Sequence, residues 1–132
     1  MQLKSSGFIA LISTLMIAGV VLAVGAAVMM LGLSATRTTS TFNQSAQART
    51  LTDACAERAL NRLQQDLSYA GGETYTIGNG SCQVVAVLGS GNTNRTIETK
   101  GTVGTVVRKV KVQVTQVNPT VQLSAWREVV SF

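Results

Sequence analysis

Residues Phe8–Leu33 read FIALISTLMIAGVVLAVGAAVMMLGL, 26 consecutive positions without a charge, 21 of them apolar. The remaining five are Ser13, Thr14, Gly19, Gly25 and Gly32. Wound as an α-helix at about 1.5 Å per residue, the run is roughly 39 Å long, more than the ~30 Å hydrocarbon core of a bilayer. It is long enough to span a membrane. The chain as a whole has 132 residues and is 45% apolar, yet the 99 residues after Leu33 are only about 37% apolar. They read as one small, rather polar domain with a modest core, which excludes a multidomain enzyme.

Composition narrows the chemistry further. The chain has no His, which removes the commonest general base and the commonest metal ligand. Two Cys make a poor metal site, no motif pairs a nucleophile with a base, and the Gly89-Ser90-Gly91-Asn92 loop lacks the Lys-Ser/Thr ending of a phosphate cradle. The expectation is a protein that is not an enzyme and carries no cofactor or metal. A net charge of +5 raises nucleic acid as a partner. Only Arg108, Lys109 and Lys111 cluster, however, without interleaved aromatics, so a solvated strand face is expected there and no nucleic acid.

A secretory signal peptide is the first alternative for the N-terminus, since Lys4 precedes the run and Leu33-Ser34-Ala35 offers small residues for cleavage. Signal peptides carry apolar regions of about 7 to 15 residues, too short to match this one. The order of features is more specific. A polar leader, Met1-Gln-Leu-Lys-Ser-Ser6, ends in Gly7 and is followed at once by Phe8. This resembles the class III leader of type IV pilins and of the pseudopilins of type II secretion. The resemblance implies that a prepilin peptidase cuts between Gly7 and Phe8 on the cytoplasmic side, that Phe8 becomes an N-methylated terminus, and that the helix stays attached.

One departure stands out. Most such pilins have Glu at the fifth mature position, which counted from Phe8 is Ile12. The usual pairing of that carboxylate with a neighbour's terminal amine cannot be carried over. Some minor pilins and K-type pseudopilins also lack it and sit at filament tips, so the resemblance implies a minor or tip-associated subunit. Along the run, Gly19, Ala23 and Ala27 recur every four residues, and Ala18, Gly25 and Gly32 every seven. Such small side chains let neighbouring helices approach closely.

No Pro or Gly lies between Ser34 and Ala70, so nothing ends the helix at the membrane boundary. The Thr-rich stretch Thr36–Thr41 is the weakest point, expected to fray or hinge. Ala56, Leu60, Leu63 and Leu67 then form an apolar stripe at i, i+4, i+7 and i+11, and Gly71-Gly72 provides a stop. The segment around Ala56-Glu57-Arg58-Ala59-Leu60 resembles the helix of short minor pilins. A helix from about Phe8 to Tyr69 is therefore expected, its second half buried on a sheet.

Beyond Gly72 the helical period gives way to strands and turns. Extended segments are expected at Thr74–Ile77, Cys82–Leu88, Arg95–Val103, Thr105–Val117 and Val121–Phe132, the fourth with alternating Val110, Val112 and Val114. The fold class is α+β, one long helix on a small antiparallel sheet of four or five strands, which is also the plan of pilin heads. The expected divisions are a leader (1–7), an assembly half-helix (8–33), an amphipathic half (34–70) and a β-rich head (71–132). Trp126 is expected in the core or at its rim. Cys55 falls on the helix and Cys82 on the second strand. If the domain is exported, a bond between them is expected; two reduced thiols or a bond between subunits are the alternatives.

Beside an anchored enzyme, which the lack of His and of a nucleophile–base motif argues against, two functions compete. One is a structural subunit of a pilus-like filament, with other subunits, prepilin peptidase and an inner-membrane assembly platform as partners, and an extracellular or periplasmic location after processing. The other is a single-pass anchored adhesin or binding module that does not polymerise.

Overall fold

The computed structural model describes residues 5–132; Met1–Lys4, which belong to the expected leader, lie outside the described residues. A single helix, α1, runs over Ser5–Gln65. Five strands follow, β1 (Glu73–Ile77), β2 (Gly80–Leu88), β3 (Thr93–Val103), β4 (Val106–Gln116) and β5 (Gln122–Glu128). They form one antiparallel meander in the order β1-β2-β3-β4-β5. The fold class is α+β, with the helix packed on a five-stranded sheet. The chain divides into two compact units between Ser40 and Thr41.

In the first unit the helix is unbroken, and its polar side chains bond within it. Ser13 and Thr14 donate to the carbonyls of Ile9 and Leu11. Thr36, Thr38 and Thr39 donate to those of Gly32, Ser34 and Ala35, at 3.0–3.1 Å. The stretch expected to fray or hinge is helical, with these hydroxyls bound back onto the preceding turn.

In the second unit, the last turns of α1 lie on one face of the sheet. Ala48, Thr52, Cys55, Ala56, Ala59 and Leu63 are buried against Cys82, Val84, Ile97, Val110, Val112 and Val114. The sheet alternates as antiparallel sheets with one solvated face do. Register confirms it: Ile97 faces Val112 and Thr99 faces Val110. Leu60 and Leu67, at the edge of the expected stripe, are only half-buried at the margin of this core. The true contact stripe is made of smaller residues and includes Thr52, whose hydroxyl donates to the Ala48 carbonyl at 2.7 Å and whose carbonyl accepts from Thr99 at 3.2 Å.

Gly101 on β3 marks where the helix comes closest to the sheet, at Ala48 and Thr52. A Cβ placed there would collide with Thr52 Oγ1 and the Ala48 carbonyl oxygen, and come within 3.0 Å of the Thr52 nitrogen. Helix backbone and strand backbone are in contact at this point. The two tight hairpins, by contrast, depend on backbone conformation. Gly78 and Gly104 each open a two-residue loop with φ +58°, the arrangement of a type II′ hairpin turn.

Two expectations are corrected. The helix ends at Gln65 instead of Tyr69 because Asp66 competes with it: its carboxylate accepts the Ser68 N–H at 2.8 Å and the Ser68 hydroxyl at 2.5 Å. Leu67 therefore reaches the core margin from a turn. The last strand stops at Glu128, with residues 129–132 beyond it. Trp126 lies at the rim, 38% exposed, its indole N–H donating to Asp53 Oδ1 at 3.0 Å.

Candidate assembly surface

Among the described residues, the apolar half of α1 carries a long run of exposed large apolar side chains. Phe8, Ile9, Leu11, Leu15, Met16, Ile17, Val20 and their successors to Leu33 are exposed, and the helix is long and apolar enough to cross a membrane. Twenty-six residues without charge leave every side-chain polar group in this stretch bonded within the helix or absent, as a bilayer or a bundle of apolar helices requires. A Cβ added at Gly19, Gly25 or Gly32 would meet nothing within 4 Å. The small-residue positions, with Ala23 and Ala27 between them, are thus open for another helix to approach.

Gly7 and Phe8 both lie within the helix, exposed and directly consecutive to the apolar run. Ile12, where most pilins carry Glu, is 38% exposed and adds one more apolar contact to the surface. No carboxylate exists between Gly7 and Asp53, so any association along this half rests on packing alone.

In the head, Cys55 and Cys82 are joined, with Cα atoms 6.0 Å apart, and both are almost completely buried. The bond ties the middle of the packed helix segment to β2. Such bonds persist in oxidising compartments, which suggests an extracytoplasmic head.

A second fastening escaped sequence reading. Arg95 on β3 is 3% exposed and donates to four backbone carbonyls: Leu67 at 2.6 Å, Tyr69 at 3.1 Å, Gly91 at 3.1 Å and Leu88 at 3.2 Å. The guanidinium, with no acid beside it in this set, holds the turn after the helix against the β2–β3 loop. Gly72 N–H to Val84 and Val87 N–H to Ala70, at 2.8 and 2.9 Å, complete the join where β2 is bulged. Nothing in a lone Arg within a Thr-rich strand announces this role.

The two tyrosines of the chain meet on one carboxylate. Tyr69 and Tyr75 both donate to Glu73, with Arg62 at 3.9 Å and Arg58 lying 4.1 Å over the Tyr75 ring. The Tyr75 hydroxyl, above all, holds Glu73 below the usual carboxylate range. Burial, and then the Glu73 carboxylate, push Tyr69 up to about 12. Asp66 is lowered by the Ser68 hydroxyl and N–H. These groups fix a turn and an edge strand. Among the described residues, no group of three His, Cys, Asp or Glu side chains is placed to hold a metal.

The architecture is pilin-like: a long helix, apolar and uncovered in its first half, packed in its second on a disulfide-fastened antiparallel sheet. No family model, curated protein or solved structure matches the chain.

Proposed function

We propose that this protein is a structural subunit of a type IV pilus-like or pseudopilus filament, minor or tip-associated, cleaved after Gly7 and assembled through its apolar N-terminal helix. The observation that carries the reading is the continuity of α1. One helix supplies an uncovered apolar half carrying open small-residue positions and, without a break, the segment on which the head is built. An anchor needs only the first property.

In this reading the subunit begins with its N-terminus in the cytoplasm and its head outside, where Cys55 and Cys82 are oxidised. Prepilin peptidase removes residues 1–7, and an inner-membrane platform moves the subunit into the filament. Lipid contacts along 8–33 are then exchanged for contacts with the helices of other subunits. Because lipid tails are as apolar as the helices, close packing at Gly19, Ala23, Gly25, Ala27 and Gly32 decides the exchange. Ile12 removes the charged pairing that positions an incoming subunit, which suits a subunit with none ahead of it. The protein performs no catalysis; assembly is its function.

Co-expression with a prepilin peptidase tests the reading. The wild-type chain is shortened by residues 1–7, whereas a Gly7→Val variant stays full length and is missing from sheared filaments. A chain that is never shortened, and that remains in the membrane fraction, refutes the filament reading in favour of an anchored module.

A further inference from the structure

A sheet that does not close has two edges, and the two here are built differently. β5 is bulged against β4 at two places and ends in Arg127 and Glu128, devices that keep a further strand away. β1 pairs with β2 one to one over Glu73–Ile77, without a bulge, Pro or Lys. The two-residue hairpin closes at Ile77 and Gly80, so alternation turns the N–H and C=O groups of Glu73, Tyr75 and Ile77 toward β2 and those of Thr74 and Thr76 outward. Two donors and two acceptors therefore lie on a flat, open edge.

Beside this edge, α1 and β1 form a groove with two kinds of lining. Ile77, 49% exposed, borders both of its cavities. One, of about 510 Å³, is walled by Ala46, Thr50, Leu51 and Val103. The other, of about 380 Å³, is lined by Ala54, Glu57, Arg58, Asn61 and Tyr75. Arg58 lies over the Tyr75 ring and, among the described residues, stands in no ion pair. Glu73, the acid of this strand, is already bound by Tyr69, Tyr75 and Arg62.

We propose that β1 takes up an extended segment of a partner protein as a further, antiparallel strand, with an apolar residue beside Ile77 and, two positions later, an acidic residue beside Arg58. The proposal does not rest on the filament reading. Antiparallel pairing continues the meander. Thr74 and Thr76 each exchange two hydrogen bonds with the added strand, which gives affinity, while alternate side chains of that strand enter the groove and give selectivity. Its residue opposite Ile77 precedes by two the residue opposite Tyr75, and both point to the helix side. The first is covered by Ile77, Ala54 and Thr50, and the second supplies the carboxylate that Arg58 lacks. Pairing of two β1 edges about Tyr75 would use the same four backbone groups. It would, however, set Glu73 opposite Ile77 and Tyr75 opposite Tyr75, with the like charges of Arg58 above both rings.

The test is fluorescence anisotropy of a labelled, end-capped peptide, Thr-Thr-Val-Thr-Glu-Thr-Thr, with the full chain in neutral detergent micelles. Saturable binding is expected, with hydrogen exchange at the Thr74 and Thr76 amides slowed at least about tenfold and that at Tyr75 unchanged. Thr76→Pro removes an outward N–H and no bond to β2, so it should abolish binding while the head melts as the wild type does. Thr76→Ala should bind within about twofold of the wild type. Ser in place of Val in the peptide should cost about tenfold in affinity. Arg58→Glu should weaken the peptide at least about tenfold and shift the preference to a peptide with Lys in place of Glu. Absence of saturable binding, unchanged binding by Thr76→Pro, equal binding of the Ser peptide, or an unshifted charge preference in Arg58→Glu would overturn the proposal. Self-association of the chain without peptide, abolished by Thr76→Pro, would overturn the choice of partner in favour of a second copy.

Discussion

Replacing Gly101 by Ala puts a methyl group where helix and strand touch. The added Cβ meets Thr52 Oγ1, the Ala48 carbonyl and, at 3.0 Å, the Thr52 nitrogen. Two of the three are helix backbone atoms and cannot rotate away. Overpacking of this kind costs about 1–3 kcal/mol. Lifting the helix also lengthens the 3.2 Å bond from Thr99 to the Thr52 carbonyl, worth about 1 kcal/mol. The expected loss is therefore about 2–4 kcal/mol. For a unit of 92 residues, Thr41–Phe132, with a stability of roughly 5–14 kcal/mol, that is a large fraction. Thermal unfolding of the full chain in micelles, followed through its sole Trp, should show a midpoint lowered by at least about 10 °C. Adding Thr52→Ala removes the hydroxyl but leaves both backbone contacts, so it should restore less than half of the loss. Gly19→Ala, with open space at the new methyl, should leave the head transition where it was. A Gly101→Ala loss below about 0.5 kcal/mol, or full rescue by Thr52→Ala, would refute the close backbone approach.

Three further outcomes follow from the fastenings of the head. Cys55→Ala with Cys82→Ala releases a cross-link spanning 27 positions and should lower stability by about 3.5 kcal/mol while raising the urea m-value; an unchanged urea midpoint would count against it. Arg95→Met, which leaves four carbonyls without their donor, should cost about 2–4 kcal/mol and speed hydrogen exchange in residues 66–72 and 89–92. Exchange at the wild-type rate there would show that the guanidinium holds nothing. Glu73 and Asp66 have lowered folded-state pKa values, so their contribution is present above the ordinary carboxylate range and is lost as pH falls through it toward the lowered values. Glu73→Gln should flatten the fall in unfolding midpoint between about pH 5 and pH 2, and an identical acid limb in both proteins would contradict the assignment.

The fold class was legible because its signals are local: an uncharged run, a helical stripe, Gly-marked turns and alternating Val110, Val112 and Val114. The helix end was not, because Asp66 and Ser68 redirect the backbone through a side-chain bond that no periodicity records. The contact stripe was legible only in part: Ala56 and Leu63 are fully buried as expected, while Leu60 and Leu67 stay at the core margin. Large residues mark an apolar face in sequence, yet Ala48 and Thr52 make the closest contact because Gly101, far along the chain, brings the strand against them. Arg95 was hidden for a related reason, whereas the alternation of Lys109 and Lys111 with Val110 and Val112 marked a cationic strand face in sequence. A buried Arg is indistinguishable in sequence from a solvated one, and neighbours across strands, such as Lys100 and Lys109, become neighbours only once register is known. The apolar half of the helix was the easiest feature to read, since an apolar run needs no partner in its own chain to be recognised.

The filament reading stands most directly on the N-terminus of the mature chain. Intact-mass and N-terminal analysis of protein recovered from sheared surface filaments should find a chain that begins at methylated Phe8, with residues 1–7 gone. Recovery only from the membrane fraction, beginning at Met1, would contradict it.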